Sequence, residues 1–366
     1  EERTDRFTVE SLDGTTREIS FVITGTNDDA VIGEPDVNAV QEDSAVNGDG
    51  ELSASGTLSI SDVDEGEAVF KTDVVSADGN LGALTLAGNG DYSYQVDNTA
   101  VQSLGEGITK TESFTVESVD GTTRIISFVI TGTNDAAVIG EPTVSAVQED
   151  AAVNSEGQLS ASGTLSISDV DEGEAVFKTD VVSADGNLGA LSLLSNGDYS
   201  YQVDNAAVQS LGEGVTRTET FTVESVDGTT RSVSFVITGT NDAAVIGEPT
   251  VNAVQEDAAV NSDGQLSVSG TLAISDVDEG ENSFKTEVSS ASGNLGSLTL
   301  ASNGDYSYVV NNSAVQYLAE DEVKTETFTV ESQDGTTRTI SFTITGTNDA
   351  PVIAAGNDSG AVTEAG

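Results

Sequence analysis

Apolar residues alternate with polar ones over most of the chain, the period of a strand with one face buried and one in water. In SFTVES, residues 113–118, Phe114 and Val116 fall on one face and Thr115 and Glu117 on the other. IISFVIT, residues 125–131, turns Ile126, Phe128 and Ile130 inward, and DYSYQV, residues 91–96, does the same with Tyr92, Tyr94 and Val96. The pattern predicts seven strands, near 37–43, 51–60, 69–75, 82–86, 91–96, 110–118 and 124–132. Asn89-Gly90 and Asp120-Gly121 fit two-residue hairpin turns, where positive φ is needed. Only NTAVQSLGEG, residues 98–107, reads as a helical turn. Seven short strands in about 100 residues describe an all-β fold, a β-sandwich of immunoglobulin-like or cadherin-like architecture.

The whole pattern returns every 107 residues, so the chain is a tandem array. GTND recurs at 25, 132, 239 and 346, and Pro35, Pro142, Pro249 and Pro351 all fall within eight residues after its Asn. Fixed φ angles gathered there predict connectors of limited flexibility, with unit boundaries just after GTND. This gives the tail of one unit at 1–28, complete units at 29–135, 136–242 and 243–349, and the opening of another at 350–366. The array is therefore expected to be an excerpt, and the loosely matching PVIAAGNDSGAVTEAG to open a more divergent unit. Every Phe, and every Tyr except Tyr317, occupies a position that repeats. The aromatic rings are thus expected to fill the same core in each unit, and Tyr317 to pack within its helical turn.

Charge narrows the chemistry. The chain carries a net charge of −51, and residues 136–242 alone hold 17 Asp and Glu against three Lys and Arg. Nucleic acid and anionic membrane would be repelled, whereas cations would be attracted. Cys and His are both absent. No disulfide, thiolate nucleophile or Ser-His-Asp triad can form, and any metal site must be built of oxygen atoms, which suits calcium or magnesium. Trp is absent too, so nothing of that kind lines a sugar cleft for a pair of glycosidase carboxylates. No run of 18 apolar residues spans a bilayer as a helix, and the N-terminus has no signal-peptide pattern.

The acidic residues are themselves patterned. SDVDEGE stands at 61–67, 168–174 and 275–281, with two bare carboxylates about 6 Å apart repelling by roughly 2–3 kcal/mol at an effective dielectric near 20. A curled loop of this kind gains from a divalent ion, and calcium takes six to eight oxygens in irregular geometry. Alternating strands place this loop, the Asn89-Gly90-Asp91 turn and the Asp120-Gly121 turn at the end where the preceding GTND enters. Ligands from two neighbouring units are therefore expected to converge: Asn27 and Asp28 with Asp62, Asp64 and Glu67; Asn134 and Asp135 with Asp169, Asp171 and Glu174; Asn241 and Asp242 with Asp276, Asp278 and Glu281. Glu42, Asp43, Glu149, Asp150, Glu256 and Asp257 lie at the far end of the first strand. They are expected to form a second cluster with their own unit's GTND, which ends in Asn348 and Asp349 for the third unit, or to charge an edge strand against aggregation. Asp91 and Asp120 read as turn residues first and ligands second, and Asp78 is weaker because Ser292 replaces it. The alternative to calcium is a set of solvated loops on a salt-adapted protein. The pattern speaks against an EF-hand, since DVDEGE has neither that loop's third Asp nor its sixth-position Gly, and strands flank it.

GTNDA, VQED, SASGTLSISDVDEGEA, GNGDYSYQVDN, AVQSL, TESFTVESVDGTTR and SFVITGTND, in that order, resemble the VCBS repeat family. Members occur in tandem in very large bacterial surface adhesins of the RTX type. The resemblance implies a secreted, calcium-binding extender that holds a distal binding domain away from the cell for adhesion and biofilm formation, with calcium ions and neighbouring repeats as partners. The other reading is a binding module whose repeats themselves recognise a glycan, a protein or a like chain. Near-identical copies favour length, because a receptor site needs one copy and a binding face needs exposed aromatics.

Overall fold

The computed structural model describes residues 1–353 and 356, so the unit expected to open at 350–366 lies mostly outside the described residues. The chain starts with a hairpin of β1 (Glu2–Glu10) and β2 (Thr16–Thr24). The first complete repeat follows with β3 (Val31–Pro35), β4 (Ala39–Gln41), β5 (Glu51–Ser61), β6 (Val75–Ser76), β7 (Ala83–Leu86), β8 (Asp91–Asp97), β9 (Thr109–Glu117) and β10 (Thr123–Thr131). These make two four-stranded sheets, β3-β5-β8-β7 and β4-β10-β9-β6, antiparallel except where β4 runs parallel to β10. The third repeat has the same two sheets, and in the second the copy of β5 is interrupted between Thr164 and Ile167. The molecule is an elongated array of such sandwiches.

Alternation puts one ring set in each core. Tyr94 lies flat on Phe128 with ring centres 4.6 Å apart, and Phe114 meets both edge-on. Tyr201 with Phe235 and Tyr308 with Phe342 repeat the stack at 4.6 and 4.7 Å. These rings are buried, and stacked or edge-on pairs of this kind add about 0.5–1.5 kcal/mol each beyond the area they bury. Glu112 also points inward, at the first position of the buried run in β9, and is fully buried. The Tyr94 hydroxyl and the backbone N–H groups of Leu81 and Gly82 donate to its carboxylate, which fastens the β6–β7 loop to the core. In the second repeat burial alone would raise the pKa of the equivalent Glu219, but the same donors, from Leu188, Tyr201 and Gly189, outweigh it and hold the group below its ordinary value.

Several local expectations are corrected. The strand expected at 37–43 shortens to β4, which joins β10, and a strand that was not expected, β3, precedes it: β3 pairs with β5, an irregular register near Pro35 releases it, and the chain crosses to the other sheet. The residues read as connector after GTND are thus part of the sandwich. The strand expected at 69–75 shrinks to β6 and an isolated Phe70–Ser118 bridge. Phe70 N–H donates to Gly88 while Lys71 N–H donates to Glu117, so the segment alternates between the two sheets and builds no continuous ladder. In the hairpin turns only the glycines take positive φ, Gly90 at 93° and Gly121 at 99°, each closing a turn begun three residues earlier; these are bulged turns, not two-residue ones. The helical turn is one 3₁₀ turn, Asn98–Ala100, followed by irregular turns. Tyr317 does not pack inside it: it is 64 % exposed, while Val315 and Leu318 fill the core.

Hairpin β1–β2 is close in sequence to β9–β10 but has no facing sheet. Phe7 and Phe21 are 54 % and 59 % exposed where Phe114 and Phe128 are 1 % and 0 %. A two-stranded hairpin is marginal in water by itself. Amide exchange at residues 7–23 is therefore expected to run orders of magnitude faster than at 114–130; equal protection would contradict the view that the facing sheet supplies the stability.

Candidate metal centre

The junction between repeats is fixed by backbone first. Gly132 of GTND donates its N–H to Ile108 O and accepts from Gly107 N–H, at 2.8 and 3.1 Å. A Cβ at Gly132 would stand 1.9 Å from Leu104 O, so only glycine lets the linker lie against segment 98–107. Glu42, one residue past β4, accepts from Thr133 N–H at 2.9 Å and from the Gln102 side-chain amide at 2.8 Å. The same amide reaches Asp43 at 3.0 Å, and Asn98 holds Asp43 from the other side. Gln209 and Gln316 repeat the brace on Glu149 with Asp150 and on Glu256 with Asp257.

The acidic loop of the next repeat closes over this end. Asp135 N–H donates to Asp171 Oδ2 at 2.8 Å, and Asp171 N–H to Asp169 Oδ1 at 3.0 Å. Asp28 with Asp64 and Asp242 with Asp278 make the same inter-repeat bond at 2.8 and 2.9 Å. In the third repeat Asp276, Glu281 and Asp334 bring carboxylate oxygens within 4.8 Å of one another. Asp334 is the copy of Asp120, so this turn carboxylate belongs with the loop and was undervalued from sequence. Its backbone role and its place in the cluster coexist: Asp120 also accepts from Ala30 N–H at 3.1 Å and from Thr122. Asn89 and Asp91 only pair with each other, exposed, outside the cluster.

Glu42 and Asp43 do not form a cluster apart from the loop. Burial, then the charges of Asp135, Asp43 and Asp171, push the Glu42 carboxyl above its ordinary range, and Asp171 belongs to the following repeat. One junction thus gathers Glu42, Asp43, Asp135, Asp169, Asp171 and Glu174, and the next gathers Glu149, Asp150, Asp242, Asp276, Asp278 and Glu281. Full burial of Glu42, Glu149 and Glu256 also removes the edge-charge reading for these three. Asn27, Asn134, Asn241 and Asn348 remain exposed, as do Asp28 and Asp349; Asp349 lies beside Asp257.

The electrostatics are those of anions without counter-charge. Burial first, and neighbouring carboxylates after it, raise the pKa of Glu67, Asp135, Glu174, Asp242 and Glu281. Asp227 and Asp334 are held well below the usual range, since donors from their own turns outweigh burial. Nine buried side-chain oxygens have no hydrogen-bond partner among the described residues: Asp62 Oδ2, Glu67 Oε2, Asp135 Oδ2, Asp169 Oδ2, Asp171 Oδ1, Asp242 Oδ2, Asp276 Oδ2, Asp278 Oδ1 and Glu281 Oε2. All nine are junction carboxylates, and no ion pair among the described residues reaches them. Orphaned buried oxygens on an all-oxygen donor set fit a hard divalent cation.

Known proteins place this architecture. The chain matches the model of the bacterial cadherin-like domain three times, at residues 27–132, 134–239 and 241–346. Among curated proteins none is similar in sequence. Solved structures with a similar fold include a protocadherin gammaB7 EC3-6 cis-dimer structure (15 % identity, 87 % of this chain and 74 % of that one, TM-score 0.46), mouse cadherin-23 EC22-24 (14 %, 88 % and 100 %, 0.43) and Drosophila N-cadherin EC1-4 (13 %, 95 % and 83 %, 0.39). With three matches that together span most of its length and one sandwich in each, the chain belongs to the bacterial cadherin-like domain family.

Proposed function

We propose that this chain is a calcium-stiffened extender: a row of non-enzymatic sandwiches, joined at ion-binding junctions, that sets distance in a secreted or surface-attached bacterial adhesin. The observation that carries it is the set of nine buried, unpartnered carboxylate oxygens, all at the junctions. Asp135, Asp169, Asp171 and Glu174, with Glu42, Asp43 and Asp227 around them, would hold calcium at one junction, and their copies at the next. An ion there supplies the positive charge that lets these carboxylates stay ionised, buried and close. Glu42 and Asp43 come from one repeat and Asp169 and Asp171 from the next, so shared coordination ties two sandwiches together. The unit boundaries after Asp28, Asp135, Asp242 and Asp349 follow from the same reading. No helix among the described residues is long and apolar enough to cross a membrane. The resemblance to VCBS repeats of RTX adhesins supplies the parent protein and its role in biofilms. The rings of the complete repeats are buried apart from Tyr317, which counts against repeats that bind glycans through aromatic faces.

Calorimetry tests it. The full chain is expected to bind calcium saturably, and Asp276→Asn with Asp278→Asn to remove the binding of one junction, seen as fewer ions bound per chain. Unchanged stoichiometry and affinity in that variant would take these residues out of the site.

A further inference from the structure

Each of the first two repeats touches the next through a contact that involves no carboxylate pair. The carbonyl of Ser103 accepts the backbone N–H of Glu172 at 3.1 Å, and that of Ser210 accepts Glu279 at 3.1 Å. Segment 98–107 and its copy therefore seat directly on the acidic loop of the following repeat. Beside this bond the glycines leave room for a side chain from that loop: a Cβ on Gly105 would stand 2.5 Å from Glu174 Oε1, and one on Gly212 would stand 2.9 Å from Glu281 Oε1. The seat also encloses the loop. Asp171 and Asp278, which lie under such a segment, are each 2 % exposed with a buried orphan Oδ1, whereas Asp64, preceded only by hairpin β1–β2, is half-buried.

The third repeat changes the contact points. Ser103, Gly105 and Gly107 are replaced by Tyr317, Ala319 and Asp321. Its own fold absorbs the change: Asp321 takes φ 60° where Gly107 takes 72°, and Gly346 N–H still donates to Glu322 O at 2.8 Å. The differences fall on the surface that meets a neighbour.

We propose that residues 103–107 and 210–214 are a docking element that selects a following repeat bearing the DVDEGE loop, and that the Tyr-Leu-Ala-Glu-Asp version of the third repeat rejects that loop in the same seat. An alanine methyl at Gly105 takes the space of the Glu174 carboxylate. The end of that flexible side chain moves cheaply, so the cost falls on where a ligand oxygen sits and not on the stability of either sandwich. Tyr317 is the counterpart of Ser103, whose carbonyl takes the loop N–H at close range, and its exposed ring would crowd a loop backbone brought to that carbonyl. The contact stands without an ion; only its effect on ion affinity rests on the calcium reading.

The test grafts the third repeat's own residues into the full chain: Ser103→Tyr, Gly105→Ala, Gly107→Asp, Ser210→Tyr, Gly212→Ala and Gly214→Asp. Because the third repeat folds with this sequence, the melting temperature in chelator is expected to stay within about 2 °C. Exchange protection of the Glu172 and Glu279 N–H groups is expected to fall at least about 10-fold, and the calcium concentration for half-saturation of those junctions to rise about 10-fold. Unchanged protection at both amides overturns the proposal. If the graft lowers the melting temperature in chelator, Gly105→Ala with Gly212→Ala decides by the same readout, since neither glycine has a positive φ. Absence of calcium binding in the unaltered chain would sink the calcium reading alone, and the amide protection would still judge the docking.

Discussion

Removing calcium is expected to lower the melting temperature of the complete repeats by about 6–20 °C and to turn a stiff rod into a flexible chain. With free calcium roughly 10 to 100 times above its dissociation constant, each site adds about 1.4–2.7 kcal/mol, and 1 kcal/mol moves a domain of this size by about 4–8 °C. The loss should be felt at the junctions first. Without the ion, Asp135, Asp169 and Asp171 face one another with unpartnered buried oxygens, and the inter-repeat bonds from Asp135 N–H and Glu172 N–H remain to hold the angle. Those few contacts, one of them to a carboxylate, compete against charge. Residues 136–242 hold 17 acidic and three basic side chains, a net of −14, so neighbouring repeats repel, although salt screens the force beyond about 8 Å. The calcium-free array should therefore bend at its junctions without collapsing. Small-angle scattering and a melting scan, each with calcium and with chelator, measure this. An unchanged maximum dimension, unchanged flexibility and an unchanged melting temperature would reduce the acidic loops to solvated surface.

How much of this was legible in the sequence depends on how local the signal is. Inward positions such as Phe114, Val116, Ile126, Phe128, Ile130, Tyr92, Tyr94 and Val96 are set by alternation within one strand, and all eight are buried. Strand β3 and the crossing from it to β4 were not legible, because they depend on which distant strand each one finds: Val31 opposite Ser61, Ala39 opposite Val129. The same distinction separates the site residues. Asp62, Asp64 and Glu67 announce themselves as a dense loop. Asp120 does not, because Asp-Gly is also ordinary turn chemistry, and only the fold shows its oxygen turned to the cluster. Gln102 was missed altogether. AVQ returns in every repeat, but a neutral amide carries no charge signal, and its link to Glu42 spans 60 residues. Glu112 alternates inward like Phe114 beside it, which was a readable sign of a buried and therefore fully bonded carboxylate.

Neutralising a junction carboxylate should change sign with the ion present. Asp135 and Asp242 are pushed toward protonation by burial and then by nearby carboxylates, those of Asp43, Asp171 and Asp169 for the first and Asp150, Asp278 and Asp276 for the second. Asn has the shape of Asp without the charge, and its amide can donate to an oxygen that is otherwise unpartnered. In chelator, Asp135→Asn with Asp242→Asn is therefore expected to raise the melting temperature by about 3–5 °C. In calcium the same pair removes charged ligands, so affinity should drop by at least about 10-fold and the melting temperature should fall below that of the unaltered chain. The pH dependence follows from the same shifts. A carboxyl whose folded pKa is raised contributes stability that is complete below its unfolded value and is lost as pH rises through the folded one. Without calcium, acidification through the raised folded pKa values toward the ordinary carboxylate range should thus stabilise the chain, and should do so less in the double variant. Asp227 and Asp334, held below the ordinary carboxylate range by their donors, stay ionised above that range and do not oppose the trend there. With calcium the slope should reverse, because protons and the ion compete for the same oxygens. Melting scans at several pH values, with and without calcium, give all four slopes. If Asp135→Asn with Asp242→Asn destabilises equally in chelator and in calcium, the two side chains are structural hydrogen-bond partners, and the repulsion that calcium is proposed to relieve is not there.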